Sequence, residues 1–412
     1  MGALIAFVFD GLRAMCRGPR LYWWWLGLLL FLIALGAWSY LTQLQEGLVV
    51  TGMSDQVSWG LYIANFAFLV GIAAAAVLLV IPAYIFHRED VKDVVLVGEG
   101  MAVAAVVMAI TFVVIDLGRP ERLWHMIPYL GEFNWPMSLL AWDVIVLSGY
   151  LLLNLAIPFY VLFHRYRGRE PHFGLYFTMV VIAMFWAISI HTVTAFLFSA
   201  NASRPFWHTA LLGPRFIASA FASGPALIII ILQIVRAVTS YPVKQTVIDL
   251  LALIMAVALQ INLFFVGVEL FTDFYNEGAH AASIHYLFLG LGESHSLRPW
   301  IWTALGMNII AVIILSVHPL RKQIRLLNLA CVLAFIGIWI EKGMGLVIPG
   351  FVPTPLGEVF EYQPTLIEIT VSIAIWAFGA LVFTLLAKAV IAIEMGHLRH
   401  SSGTAVPGEM IS

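Results

Sequence analysis

Ten long apolar runs, separated by short polar breaks, make up almost the whole chain. They cover roughly 21–41, 59–86, 94–117, 136–163, 174–199, 214–237, 246–272, 299–317, 325–348 and 366–394. Each approaches or exceeds the ~20 residues that carry a helix across a bilayer core. The apolar residues are continuous within each run rather than alternating, which argues against a barrel. The pattern predicts an all-α integral membrane protein with ten transmembrane helices over residues 21–396, a segment 1–20 before them and a tail 397–412 after them.

Charge sets the orientation, because cytoplasmic loops collect Lys and Arg. Counted on alternate sides of the ten runs, fifteen of these residues fall on the side of both termini and six on the other. Both termini are therefore expected in the cytoplasm, with the protein in the cytoplasmic (inner) membrane. Arg13, Arg17 and Arg20 interrupt short apolar stretches before the first run, and no small-residue cleavage site follows. Segment 1–20 thus reads as a short interfacial helix rather than a secretory signal. The tail from Ser401 to Ser412 is polar and expected to be disordered. The outer connections Gly118–Trp135, Ala200–Gly213, Asp273–Arg298 and Pro349–Pro364 are longer and richer in aromatic, Gly and Pro residues than the basic inner ones. Such a surface could seat an external protein partner.

Composition narrows the function classes further. Hydrophobic residues make up 62% and charged residues 11% of the 412 residues, with a mean hydropathy of +0.97. A water-soluble domain carries about a quarter charged residues, so the chain needs a lipid membrane around it. A net charge of −2 offers no basic surface for nucleic acid. Cys16 and Cys331 stand alone, without a CxxC, so neither covalent haem, an iron–sulfur cluster nor a thiolate metal site is expected in this chain.

A charge within hydrocarbon costs several kcal/mol, so the few ionisable groups inside the runs point at function. They are Glu99, Asp143, His191, Glu269, Glu341 and Glu368, with Asp116 and Arg215 at the ends of runs. With the orientation above, all but Glu99 fall in the outer half of the membrane, together with Tyr62 and Asn65. Such a layer suggests a polar pocket opening outwards. A quinone headgroup has two carbonyls that take up two protons on reduction, and needs hydrogen-bond donors beside a proton source. His191 with Asp116, Asn65 and Tyr62 could supply that chemistry, since histidine titrates near working pH and desolvated carboxylates can be moved there. The same groups could equally hold a transported proton or anion. Bis-histidine haem needs two histidines facing each other at one depth; His191 alone lies well inside a run, which argues against haem b.

Several stretches resemble one known family. Ser58-Trp59-Gly60-Leu61-Tyr62-Ile63-Ala64, leading into Val70-Gly71-Ile72-Ala73-Ala74, is similar to the second-span signature of the NrfD/PsrC family. Asp116-Leu117-Gly118-Arg119-Pro120-Glu121-Arg122-Leu123-Trp124-His125 resembles its DLGRPER-W motif almost letter for letter. Asn134-Trp135-Pro136-Met137-Ser138 resembles the entry to the next span, and Pro205-Phe206-Trp207 with Leu212-Gly213-Pro214-Arg215-Phe216-Ile217-Ala218-Ser219-Ala220 another family block.

The resemblance implies a pair of four-helix bundles plus two additional helices, and a haem-free subunit that exchanges electrons between menaquinone or menaquinol and a partner iron–sulfur protein. By motif position it implies Asn65, Asp116 and Arg119 as pocket residues. His191 and Asp116 are the expected proton-exchanging pair, with Tyr62, Arg215 and Glu269 as further quinone contacts. Gly343-Met344-Gly345-Leu346-Val347-Ile348-Pro349-Gly350-Phe351 and Pro364-Thr365-Leu366-Ile367-Glu368 resemble the DsrP-type branch, part of the DsrMKJOP complex of dissimilatory sulfur metabolism. That branch implies a periplasmic iron–sulfur protein, a multihaem cytochrome c, a membrane cytochrome b and a cytoplasmic iron–sulfur subunit as partners. Glu99, Asp143, Glu341 and Glu368 are candidates for a proton path. The rival readings are a secondary transporter using the same polar layer, and a structural membrane anchor without quinone chemistry.

Overall fold

A computed structural model describes residues 2–276, 278 and 280–399. The expected tail from Ser401 to Ser412 lies outside the described residues. Among the described residues, ten helices are long and apolar enough to cross a membrane: Arg20–Glu46, Leu61–Tyr84, Glu89–Asp116, Leu139–Tyr166, Phe173–Ser199, Leu212–Val238, Gln245–Tyr275, Arg298–Ser316, Ile324–Phe351 and Leu366–Glu394. They correspond one to one with the apolar runs and are, in chain order, the first to the tenth span. The largest differences lie where a helix continues past its apolar stretch: the first span extends to Glu46, and the third begins at Glu89 instead of residue 94. Polar residues at a helix end cost nothing when the end stands in headgroups or water, so hydropathy marks the hydrocarbon slab rather than the helix.

The second to fifth spans form one four-helix bundle, and the sixth to ninth a second. The seam between them runs along the second span, which packs against the fifth, the sixth and the ninth. The first and tenth spans pair with each other, and the tenth lies against the third. Burial follows from this plan. The second span is almost wholly buried, while the first keeps most of its apolar surface outward, where lipid would cover it. The expected pair of bundles plus two helices is the observed architecture.

Two local features shape the seam. The second span is interrupted after Ala74, with a turn at Ala75 and Ala76 before the helix resumes at Val77. Gly224 in the sixth span faces that turn so closely that a Cβ on it would lie 1.9 Å from the Ala75 Cβ. A small residue at the crossing lets two backbones approach within a distance no other side chain allows. The ninth span carries a π turn over Ile340–Met344. Such a turn widens the helix and is frequently found at functional sites.

Spans alternate in direction, so their ends define two faces. The loop-rich face carries residues 47–60, 117–138, 200–211 and 352–365, together with a short helix Ala281–Phe288 that occupies part of an expected loop. Near this face an aromatic cluster fills the seam. Trp207 stacks on Trp59 at 5.4 Å, lies edge-on to Phe351 at 5.0 Å, and donates from Nε1 to the Leu346 carbonyl at 2.8 Å. On the opposite, basic face the segment before the first span forms a helix, Gly2–Met15. Its Phe7 packs edge-on against Phe159, Phe163 and Tyr166, while Tyr166 donates to Asp10 at 2.6 Å. Leu4, Ile5, Val8, Phe9 and Leu12 stay exposed, an apolar face suited to lying in a membrane interface.

Candidate functional site

Asp116, Tyr62 and Glu368 lie near one another at the loop-rich end of the first, second, third and tenth spans. Tyr62 is fully buried; its hydroxyl donates to Gln43 Oε1 at 2.7 Å, and Gln43 Nε2 donates to the Ile115 carbonyl at 3.1 Å. Three spans are thus tied together one residue before Asp116. The Asp116 carboxylate keeps one oxygen, Oδ1, buried without a hydrogen-bond partner. Asp116 and Glu368 are both close enough to act electrostatically on Tyr62.

Glu368 is committed to holding the chain. It closes a capping box at the start of the tenth span with Thr365, whose backbone N–H donates to Oε2 at 2.9 Å. The same oxygen accepts from the Gly52 N–H at 2.7 Å, and Oε1 accepts from the Tyr362 hydroxyl at 2.5 Å. Tyr362 in turn accepts from the N–H of Leu61, the first residue of the second span, at 2.8 Å. A helix start leaves such N–H groups without intrahelical partners, so one carboxylate anchors the starts of two spans. Tyr362 lies outside the spans; burial first, then the Glu368 charge, push its hydroxyl far above the ordinary tyrosine range and keep its proton in place.

Asn65 lies one turn below Tyr62 and is also engaged. Its Oδ1 accepts from the indoles of Trp339 and Trp376, both at 3.0 Å, and its Nδ2 donates to the Leu61 carbonyl at 2.8 Å. Arg119 stands on the loop-rich surface, 74% exposed, 3.4 Å from Glu121.

His191 is buried in the fifth span. Its Nδ1 lies 3.2 Å from the Ala187 carbonyl, which an N–H must donate to, so in the neutral ring the lone pair belongs to Nε2. Nε2 is buried and finds no partner. One turn nearer the loop-rich face, Thr194 donates to Asp143 Oδ1 at 2.9 Å, joining the fifth span to the fourth. No hydrogen bond joins His191 to Asp116 among the described residues; they stand on the fifth and third spans, both of which pack against the second.

Arg215, Glu269 and Glu341 converge inside the second bundle. Arg215 forms a close ion pair with Glu269 through Nη1 and reaches Glu341 Oε1 from Nη2 at 3.2 Å. Glu341 is 1% exposed and also accepts from Asn262 Nδ2 at 3.0 and 3.1 Å and from Asn308 Nδ2 at 3.0 Å. Buried ions persist only when paired and hydrogen-bonded, and this carboxylate is both. Because the ninth span runs to Phe351, Glu341 stands nearer mid-membrane than the apolar run ending at residue 348 suggested. Beside it lies Lys342, also buried. Its Nζ is 4.1 Å from the centre of the Phe216 ring and donates to the Phe216 carbonyl at 3.4 Å. A small cavity here is lined by Leu212, Arg215, Phe216, Ser219, Glu341, Lys342 and Leu346.

Glu99 is apart from all of these, in the basic half of the first bundle. It borders a second small cavity with Tyr150 and Asn154, beside the break in the second span at Ala76, and its Oε2 is buried without a partner.

Of the residues singled out from the sequence, the structure groups Asp116, Tyr62 and Glu368 in one place and Arg215, Glu269 and Glu341 in another. Asn65, Asp143, His191 and Glu99 sit separately around the first bundle, and Arg119 is on the surface. Gln43, Asn262, Asn308 and Lys342 escaped sequence reasoning. For Lys342 the signal existed: it adjoins Glu341 between apolar flanks, yet it reads as an outer-loop cation when only loop charges are counted. The uncharged amides gave no comparable signal.

A family model described as polysulphide reductase, NrfD, matches residues 49–353. Curated relatives extend over nearly the whole chain. A putative dimethyl sulfoxide reductase membrane subunit from Halobacterium salinarum is 27% identical over 400 residues, covering 87% of this chain and 88% of its own length. The Hdr-like menaquinol oxidoreductase integral membrane subunit of Archaeoglobus fulgidus is 26% identical over 364 residues, covering 85% and 88%. A selenate reductase subunit from Mesobacillus selenatarsenatis is 23% identical over 400 residues, covering 86% and 91%.

Proposed function

Because this chain belongs to the NrfD family, we propose that it is the quinone-reactive membrane subunit of a respiratory electron-transfer complex, with menaquinol as its lipid-borne substrate. The observation that carries this reading is the pair of buried atoms without partners on the two expected proton-exchanging residues, Asp116 Oδ1 and His191 Nε2. Buried polar atoms are normally satisfied, and exceptions ask for an explanation such as a ligand. A carboxylate oxygen and an imidazole lone pair are each an acceptor of the kind a quinol hydroxyl needs.

On this reading, menaquinol bound from the lipid supplies two electrons and two protons. Asp116 Oδ1 and His191 Nε2 take up the protons. Tyr62, held by Gln43, shapes the wall beside Asp116, and Asn65 sets the distance between the second, ninth and tenth spans. Arg215 and Glu269 form the floor on the second-bundle side. Glu99, Asp143 and Glu341 are stations for protons leaving the site, and Glu368 fixes the loop that covers it. The electrons leave to an iron–sulfur protein docked on the loop-rich face, where Trp124, Tyr129, Leu130, Met137 and Leu356 expose apolar surface.

The bias of basic residues supports a cytoplasmic-membrane location with both termini in the cytoplasm and the loop-rich face towards the periplasm. The name of the Archaeoglobus relative favours menaquinol as the substrate. The DsrP-like segments favour a place in sulfur or sulfite metabolism, with a multihaem cytochrome c, a membrane cytochrome b and a cytoplasmic iron–sulfur subunit as further partners. Solvent extraction of the purified complex tests the reading. Bound menaquinone in the wild type, reduced several-fold in Asp116→Asn with all subunits retained, is the expected result. A complex that neither carries quinone nor binds added menaquinone analogues contradicts it.

A further inference from the structure

Lys342 occupies a place that the quinone reading does not use. Neighbouring residues on a helix point away from each other, and here that divergence crosses the seam. Glu341 faces the second bundle, towards Arg215, Asn262 and Asn308. Lys342 reaches the seam itself: its Nζ lies on Phe216 of the sixth span, a Cβ on Gly71 of the second span would lie 3.1 Å from it, and it is within electrostatic range of His191. The π turn over Ile340–Met344 holds both.

The ammonium is also poorly matched. An ammonium has three N–H donors, and the side chain has one long hydrogen bond, to the Phe216 carbonyl, and one aromatic ring. Among the described residues, Lys92, Lys244 and Lys322 each pair with a carboxylate. Lys342 and Lys388 have no such partner within ion-pair distance; Lys388 is half-buried over the Tyr22 ring, whereas Lys342 is the most deeply buried of the five. An unpaired buried cation is costly. A neutral amine is not, and lysine is the basic side chain that buried sites use as a proton carrier, whereas arginine does not release its proton.

We propose that Lys342 is a proton-transfer group joining the two bundles, and hence that quinol oxidation in this protein drives protons through the second bundle. This rests on the quinone reading above. The proton that His191 Nε2 takes from quinol passes to the Lys342 amine, which becomes the ammonium as the imidazole returns to neutral. The ammonium then gives that proton to Glu341, leaving the amine and a carboxylic acid. Both electrons go to the iron–sulfur partner, so charge and atoms balance at each step. Asn262 Oδ1 and Asn308 Oδ1, buried without partners beside Glu341, are hydrogen-bond acceptors to which the Glu341 carboxylic acid can turn.

The test uses the intact complex in liposomes, with protons moved per electron read from a pH-sensitive dye during menaquinol oxidation. In Lys342→Met the ratio falls to half or less of the wild type, whatever the turnover rate. In Lys342→Arg it falls equally, because charge is kept and proton release is not. A wild-type ratio in either variant overturns the proposal; rescue by arginine alone would show that Lys342 only places a charge. Should both variants fail to assemble, the wild type decides it. With lysine labelled by 15N, the redox-difference infrared spectrum is expected to show a label-sensitive lysine band, and its absence overturns the proposal. A wild type that oxidises menaquinol without moving protons overturns this inference alone. A wild type that does not oxidise menaquinol overturns the quinone reading and this inference with it.

Discussion

Trp339 in the ninth span donates a 3.0 Å hydrogen bond to the side-chain oxygen of Asn65 in the second. Trp376 in the tenth span donates to the same oxygen. One buried amide therefore holds three spans at a common distance where the two bundles meet. Asn65→Leu strands two indole N–H groups. The expected loss is about 1–3 kcal/mol, the usual cost of an unsatisfied buried donor. It would be read as reduced resistance to denaturing detergent. Adding Trp339→Phe and Trp376→Phe to the same background should recover part of the loss, since no donor then remains unpaired.

The Arg215 network makes a sharper case. Arg215→Met leaves Glu269 and Glu341 facing each other without their cation. Breaking a buried ion pair from one side costs about 3–5 kcal/mol, enough to cut the yield of folded protein severely. The combined variant Arg215→Met, Glu269→Gln, Glu341→Gln removes all the charge at once and is expected to be more stable than Arg215→Met alone. Unfolding midpoints for the two variants, side by side, check the order.

Close packing at the seam can be tested without touching any charge. Gly224→Ala puts a methyl where Ala75 already stands, and overpacking of this kind costs about 1–3 kcal/mol. Ala75→Gly in the same chain frees the space, so the double variant should regain most of the lost stability. Equal stability of the single and double variants would contradict the close approach of the second and sixth spans.

Much of the fold was legible in the sequence because a bilayer imposes one strong rule. Backbone polar groups in hydrocarbon must be satisfied within the chain, so each apolar run is a helix and alternation of the runs gives direction. The bundle pairing was legible only through the DLGRPER-like stretch at Asp116–Arg122, since hydropathy says nothing of which helices touch. The break at Ala75 and Ala76 leaves no polar residue to mark it. The seam at Gly224 looked like ordinary small-residue packing.

The site was legible in part for a related reason. Charges inside apolar runs stand out, so Asp143, His191, Glu341 and Glu368 were found, but their partners depend on helix rotation and were not. Glu368 is the clearest instance. Its spacing from Thr365 is that of a capping box, a local reading that the sequence permits, whereas its bonds to Gly52 and Tyr362 come from distant segments. Lys342 shows the opposite failure, a buried charge hidden by counting it with the loops.

The proposed exchange of protons between menaquinol and the pair His191 and Asp116 is open to a direct kinetic check. Positioned acid–base groups contribute roughly 10²–10⁴-fold to rate. The most direct measurement is menaquinol-dependent reduction of the iron–sulfur partner in the intact purified complex, for the wild type, His191→Ala and Asp116→Asn. Each variant is expected to assemble fully and to turn over at least roughly a hundred-fold more slowly, as loss of one such group requires. Wild-type turnover in both variants, with all subunits retained, would contradict it.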